Sequence, residues 1–169
     1  MQNQHLDFLR TRRSVRSFLP KPVEESLIQT ILECAMVAPS AMNQQPWEFY
    51  VTQQRSVLDK LSASHPGAKP FTQAQLGIVV VLRTQEIKAP GFVQQDGAAA
   101  VMNILYSAHA QGLGAVWCGI HPLADREEKV REIMNIPADL YPFACIALGY
   151  PDQTLDSVDR FSQERIHWV

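Results

Sequence analysis

Two runs in this chain carry side chains whose types and spacing could do chemistry. In the first, Thr11-Arg12-Arg13-Ser14-Val15-Arg16-Ser17-Phe18, guanidiniums and hydroxyls crowd together. Guanidinium forks match phosphate oxygens bidentately, and a hydroxyl between them can take another oxygen or a sugar-like alcohol. Taken alone, such a run is more often a solvated basic surface. The second run is Ala38-Pro39-Ser40-Ala41-Met42-Asn43-Gln44-Gln45-Pro46-Trp47. Each proline lacks a backbone N–H and pushes its predecessor toward extended geometry, so the run reads as a stiff loop. It presents a hydroxyl, three carboxamides and several backbone N–H groups. Carboxamides donate and accept together, which suits the mixed edge of a planar heterocycle. The bland alternative is a helix-ending loop whose polar groups cap the chain.

Taken together, Arg12-Arg13-Ser14-x-Arg16 and, roughly thirty positions later, Ala38-Pro39-Ser40-Ala41-x-Asn43-x-Gln45-Pro46-Trp47 resemble the FMN-dependent nitroreductase family. That resemblance implies an α+β layered fold, with a mixed, mainly antiparallel sheet flanked by helices. It also implies a homodimer with a long central helix at its interface and FMN held between subunits. NADH or NADPH would serve as electron donor, and nitroaromatics, quinones or similar small electrophiles as acceptors, in a ping-pong hydride transfer. By the same resemblance Arg12 and Arg13 serve the FMN phosphate, and Ser14 the phosphate or ribityl oxygens. Arg16 would stand by the N1/O2 edge of the ring, where a cation favours the reduced, anionic form. Pro39, Ser40, Ala41 and Asn43, with Gln45 beside them, would reach the ring from the second subunit. Val116, Trp117, Cys118 and Gly119 match the segment whose backbone amides face the ring's polar edge, and Arg160 the late basic residue that closes on the phosphate. Residues 64–71 are too divergent to place a ring contact by similarity, although Lys69 is available there. A flavin performs the hydride chemistry itself, so no protein acid or base is required. Relatives with dehydrogenating or dehalogenating activity, and a flavin-binding module without turnover, are the alternatives the resemblance leaves.

The elements that must position these runs are legible from periodicity. Leu6, Phe8 and Leu9 predict a short helix over Gln4–Thr11 that delivers the basic run. Leu27, Ile28, Ile31, Leu32 and Ala35 predict an amphipathic helix over residues 23–38, with Pro22 placed to open it. Alternation from Trp47 to Val51 predicts a half-buried strand, and residues 54–62 a short helix. The apolar run from Leu76 to Leu82 predicts a central strand. Residues 92–111 form the longest helical candidate, apolar on nearly every side around residues 98–106. It is either a core helix of one chain or one that a second subunit covers. Asp96 heads it as a carboxylate suited to an early turn, and Asn103 suits a helix–helix contact. Gly112 is a suitable helix stop, residues 113–119 and 142–149 predict strands, and Asp125 with Glu128 predicts a capping box for a helix to about Asn135. The polar stretch 151–169 is too short to be a domain and must drape over the body or a partner. Lacking regular βα spacing, the pattern fits a single α+β layered domain over residues 1–169 better than a doubly wound sheet.

Composition narrows the classes. The 169 residues are 46% hydrophobic and 19% charged, with a formal net charge of −2. That suits an ordinary globule and gives no global footprint for nucleic acid. The first five residues show no leader pattern, and no apolar run reaches membrane-spanning length. Three scattered cysteines argue against a disulfide framework and suit a reducing cytoplasm. Gly112-Leu113-Gly114 fails as a dinucleotide fingerprint, because Trp117 stands where the third glycine belongs and a strand follows. The five histidines show no metal-ligand spacing, and Cys118 with His121 is more readily structural than a nucleophile–base pair.

Overall fold

A computed structural model describes residues 4–169; residues 1–3, part of the stretch read above for a leader, lie outside the described residues. The chain runs α1 (Gln4–Thr11), α2 (Glu25–Met36), β1 (Trp47–Thr52), α3 (Arg55–Ser64), β2 (Leu76–Arg83), α4 (Val93–Ala110), β3 (Gly114–Gly119), α5 (Ala124–Met134) and β4 (Leu140–Gly149). The four strands lie in the order β1-β2-β4-β3, every neighbouring pair antiparallel. Among the described residues, parallel pairing enters only as a bridge from Ser14 to Ala115 at the outer edge of β3.

Strand residues alternate between two cores, as the pleat requires. Ile78, Val80, Leu82, Ile146 and Leu148 face α2 and α4, whereas Val79, Val81, Cys145, Ala147, Val116 and Cys118 face the layer of α3 and α5. Helices on both faces explain why β2 reads as an unbroken apolar run. A register shift at Val80/Val81 pairs Val80 with Ala144 and Val81 with Pro142, so Phe143 is bulged out and joins Ala144 in the α4 core. Close approach of α4 to the sheet needs Gly97, where a Cβ would come within 2.7 Å of Leu82 Cδ1.

Most of α4 is covered inside the chain: Ala100, Val101, Ile104 and Ala108 are fully buried, while Ala98, Ala99 and Met102 are only partly so. Asn103 Nδ2 donates to the Cys34 carbonyl of α2 at 2.8 Å, the helix–helix contact expected of it. Gly112 stops the helix at φ +73°, a value that favours glycine. Two start signals come out differently. Pro22 precedes α2 rather than opening it, since Leu27 and Ile28 N–H both bond the Glu24 carbonyl. The capping box at Asp125 does not form: Arg126 and Glu127 N–H both bond the Leu123 carbonyl, so α5 begins earlier and Asp125 lies within its first turn. Leu123 offers no side-chain cap.

Candidate functional site

The basic run leaves α1 and crosses β3. Val15 N–H donates to the Ala115 carbonyl at 3.1 Å, next to the Ser14–Ala115 bridge. This crossing is tight, because a Cβ on Gly114 would lie 2.6 Å from Val15 Cγ1. The tail then locks the run from outside. Gln153 Oε1 accepts the N–H groups of Arg16 (3.2 Å) and Ser17 (2.9 Å), and Arg13 donates to the Asp156 carbonyl. Phe18 pairs with Pro151 on the same edge. Arg12, Arg13 and Ser14 are half-buried and Arg16 is exposed.

Arg12 sits over the Tyr106 ring of α4, 5.9 Å from its centroid. With Arg13 and Arg160 it borders a cavity of about 1020 Å³ that lies between α1 and the tail. Among the described residues none of Arg12, Arg13, Arg16 or Arg160 forms an ion pair with a carboxylate. Asp7 and Asp159 border the same cavity, but the guanidiniums of Arg10, Arg12, Arg13 and Arg160 outnumber them, which makes a donor set for a phosphate.

Residues 116–119, at the far end of the same strand, belong with this run. Val116 and Cys118 are buried, Trp117 is half-buried against Phe143 at 5.6 Å, and Gly119 is exposed, with nothing within 4 Å of where a Cβ would lie. Burial pushes the Cys118 thiol up to about 12, while the nearby Arg16 guanidinium pulls the other way. His121 does not pair with Cys118. Its Nδ1 meets Glu127 Oε1 at 2.8 Å and its ring packs on Tyr141 and Phe143, on the opposite side of the strand.

The loop over residues 38–47 is held elsewhere. Met42, Asn43 and Gln45 all take positive φ, an unusual cluster for residues with side chains. Buried Asp96 in α4 accepts the Ala41 N–H at 2.9 Å and the Gln44 carboxamide at 2.6 Å, and Gln44 also exchanges two bonds with Ala89. Ser40 Oγ accepts the Gln45 N–H at 3.0 Å, and Arg83 donates to the Gln45 carbonyl. Pro39, Met42, Asn43 and Gln45 are left facing outward. Gln44 and Asp96 are thus the organising pair that sequence reasoning missed. A carboxylate near the head of an otherwise apolar helix was their only signal.

Asp96 and Tyr106 mark where the two runs meet α4. They lie ten residues apart, or about 15 Å along a helix. Among the described residues no hydrogen bond joins the loop to the basic run. One chain therefore brings residues 12–16 together with 116–119 and 160, and sets Pro39, Ser40, Ala41, Asn43 and Gln45 apart from them.

The nitroreductase family model matches residues 9–69 and 64–150 of the chain. This protein belongs to the nitroreductase family. A Methanothermobacter thermautotrophicus relative, provisionally named an NADH dehydrogenase/NAD(P)H nitroreductase, is 42% identical over 96% of this chain and 85% of its own. An FMN-dependent nitroreductase from Clostridium difficile superposes with a TM-score of 0.90 at 25% identity, covering 96% of this chain and 98% of that one. A Desulfovibrio desulfuricans nitroreductase-like structure in complex with FMN gives 0.83 at 31% identity, over 98% and 96% of the two chains. In this nitroreductase-family chain the α+β fold expected from sequence is the fold observed, and all neighbouring strands run antiparallel.

Proposed function

We propose that this protein is an FMN-dependent oxidoreductase, working as a homodimer, that uses NADH or NADPH to reduce nitroaromatics, quinones or similar small electrophiles in ping-pong fashion. When bound, FMN supplies the hydride chemistry. The observation that carries the reading is the cluster of Arg12, Arg13 and Arg160, without carboxylate partners, around a cavity large enough for a mononucleotide.

Arg12, Arg13 and Arg160 would hold the phosphate, and Ser14 a phosphate or ribityl oxygen. Arg16, beside Cys118, would place positive charge where the reduced ring is anionic. The backbone of residues 116–119 would face the ring's polar edge, with Gly119 leaving room for close approach. Pro39, Ser40, Ala41, Asn43 and Gln45 would complete the pocket from the second subunit, since their anchor on α4 lies too far from the basic run within one chain. Exposed apolar residues support such a partner: Leu6 and Leu9 on α1, Met36 and Val37 at the end of α2, and Met42 in the loop. A reducing cytoplasmic setting is proposed with it, on three cysteines that are all free.

The test is the colour and mass of the purified protein. It should be yellow and twice the chain weight, NADH or NADPH should bleach its flavin absorbance without oxygen, and a nitroaromatic should restore it. A colourless monomer that takes up no added FMN ends the reading.

A further inference from the structure

The seam between α1 and α4 is aromatic just where the basic run begins. Phe8 of α1 touches two side chains of α4, its ring 5.6 Å from that of Tyr106 and stacked 5.1 Å from that of His109. Thr11 Oγ1 lies 3.1 Å from His109 Nε2. Phe8 with Thr11, and Tyr106 with His109, are spaced so that each pair shares a face of its helix. These contacts fix the end of α1 on α4, and the next residue is Arg12.

Arg12 is held differently from its neighbours. Arg13 spends a donor on the Asp156 carbonyl, and Arg16 one on the Ser14 carbonyl. Among the described residues no hydrogen bond or ion pair holds the Arg12 guanidinium, whose carbon sits 5.9 Å from the centroid of the Tyr106 ring. The carboxylates bordering the cavity are engaged elsewhere: Asp7 pairs with Arg10 at 3.8 Å, and Asp159 Oδ1 accepts the Phe161 N–H at 2.9 Å. An aromatic face attracts a cation without consuming any of its N–H groups. The donors of Arg12 therefore stay available, and Tyr106 borders the same cavity as Arg12, Arg13 and Arg160. His109 adds no rival cation beneath them, since burial lowers its pKa and Arg12 lowers it further.

We propose that Tyr106 is a positioning residue for the flavin phosphate: its ring holds the Arg12 guanidinium at the cavity wall with the N–H groups free to fork onto phosphate oxygens. The inference rests on the flavin reading and deepens it. Without the ring, Arg12 is a long side chain with many rotamers, and a phosphate must order it at the moment of binding. The ring does that ordering before the ligand arrives. Phosphate is all that this device recognises, so FMN gains from it and riboflavin, the same ring system without the phosphate, does not.

The experiment titrates the full-length protein, its flavin removed by dialysis, with FMN and separately with riboflavin, following quenching of flavin fluorescence. Tyr106→Leu should weaken FMN about fivefold and leave riboflavin unchanged. Tyr106→Phe, which keeps the ring, should retain the FMN affinity, and Arg12→Ala with Tyr106→Leu should bind FMN no more weakly than Arg12→Ala alone. Tyr106→Met is a second truncation, so the result does not hang on one variant folding. An equal loss for FMN and riboflavin would make Tyr106 merely structural, and an undiminished FMN affinity or additive losses in the double variant would equally overturn the proposal. Wild-type protein that takes up neither flavin defeats the flavin reading and this inference with it. A wild-type preference for FMN that survives in both truncations defeats this inference alone.

Discussion

Asp96 Oδ1 accepts the Ala41 backbone N–H at 2.9 Å, across 55 residues of chain. A carboxylate buried in the helix that packs on the sheet thereby sets the shape of the loop proposed to reach the flavin. Its other oxygen holds Gln44 at 2.6 Å, and Gln44 in turn pins Ala89.

Removing that carboxylate should loosen the loop. Asp96→Ala strands the Ala41 N–H and one Gln44 donor, a loss of about 1–3 kcal/mol. FMN affinity, read by flavin fluorescence, should fall along with the melting temperature. Asp96→Asn keeps one acceptor and should be milder. Unchanged flavin binding in Asp96→Ala would disconnect this clamp from the cofactor.

Arg12→Ala with Arg16→Ala should give a colourless protein of native fold, since both side chains bear on the proposed cofactor and neither is buried in the core. If sites are shared, mixing this double variant with an Asn43→Ala loop variant under subunit exchange should restore activity, because half of the sites in the mixed dimers are then intact. No recovery in mixed dimers would place the whole site within one chain.

Gly114→Ala should destabilise the chain by about 1–3 kcal/mol, the usual cost of forcing extra volume into a packed contact. The new Cβ meets Val15 Cβ at 2.7 Å. Val15→Ala in the same background should recover part of the loss, measured by urea unfolding. Additive effects would mean that the run crosses β3 less tightly.

Alkaline pH should weaken the fold. The Cys118 thiol is raised from an ordinary 9.0 to about 12, burial being the main cause, and Cys145 is also raised well above 9.0. An unfolded thiol ionises first, so this contribution is complete below pH 9 and is lost as pH climbs toward 12. Unfolding free energies at pH 8 and pH 10 should show the decline, and Cys118→Ala should make it shallower, with Cys145 sustaining the rest. An identical slope in Cys118→Ala would remove that thiol from the account.

Periodicity was sufficient for the elements. The alternation of Trp47, Phe49 and Val51, the run from Leu76 to Leu82 and the long apolar helix each reflect one local rule, which face must be buried, and each element forms within a few residues of its expected place. Helix starts were less secure. They depend on which carbonyl the first free N–H groups find, and at α5 that was Leu123 rather than the Asp125 side chain.

The amino-acid sequence by itself determined the chemistry on offer: three guanidiniums and three hydroxyls in one short run, carboxamides between two prolines in another, and enough apolar residues to cover a sheet on both faces. Side-chain type survives any change of context, so these were readable without coordinates. Tertiary structure decided which groups share space. It laid Val15 against Gly114, brought Arg160 to Arg12 and Arg13, hung the amide loop from Asp96, and set Arg12 over the Tyr106 ring. Such pairings join residues dozens of positions apart through packing of whole layers, and no local pattern encodes them.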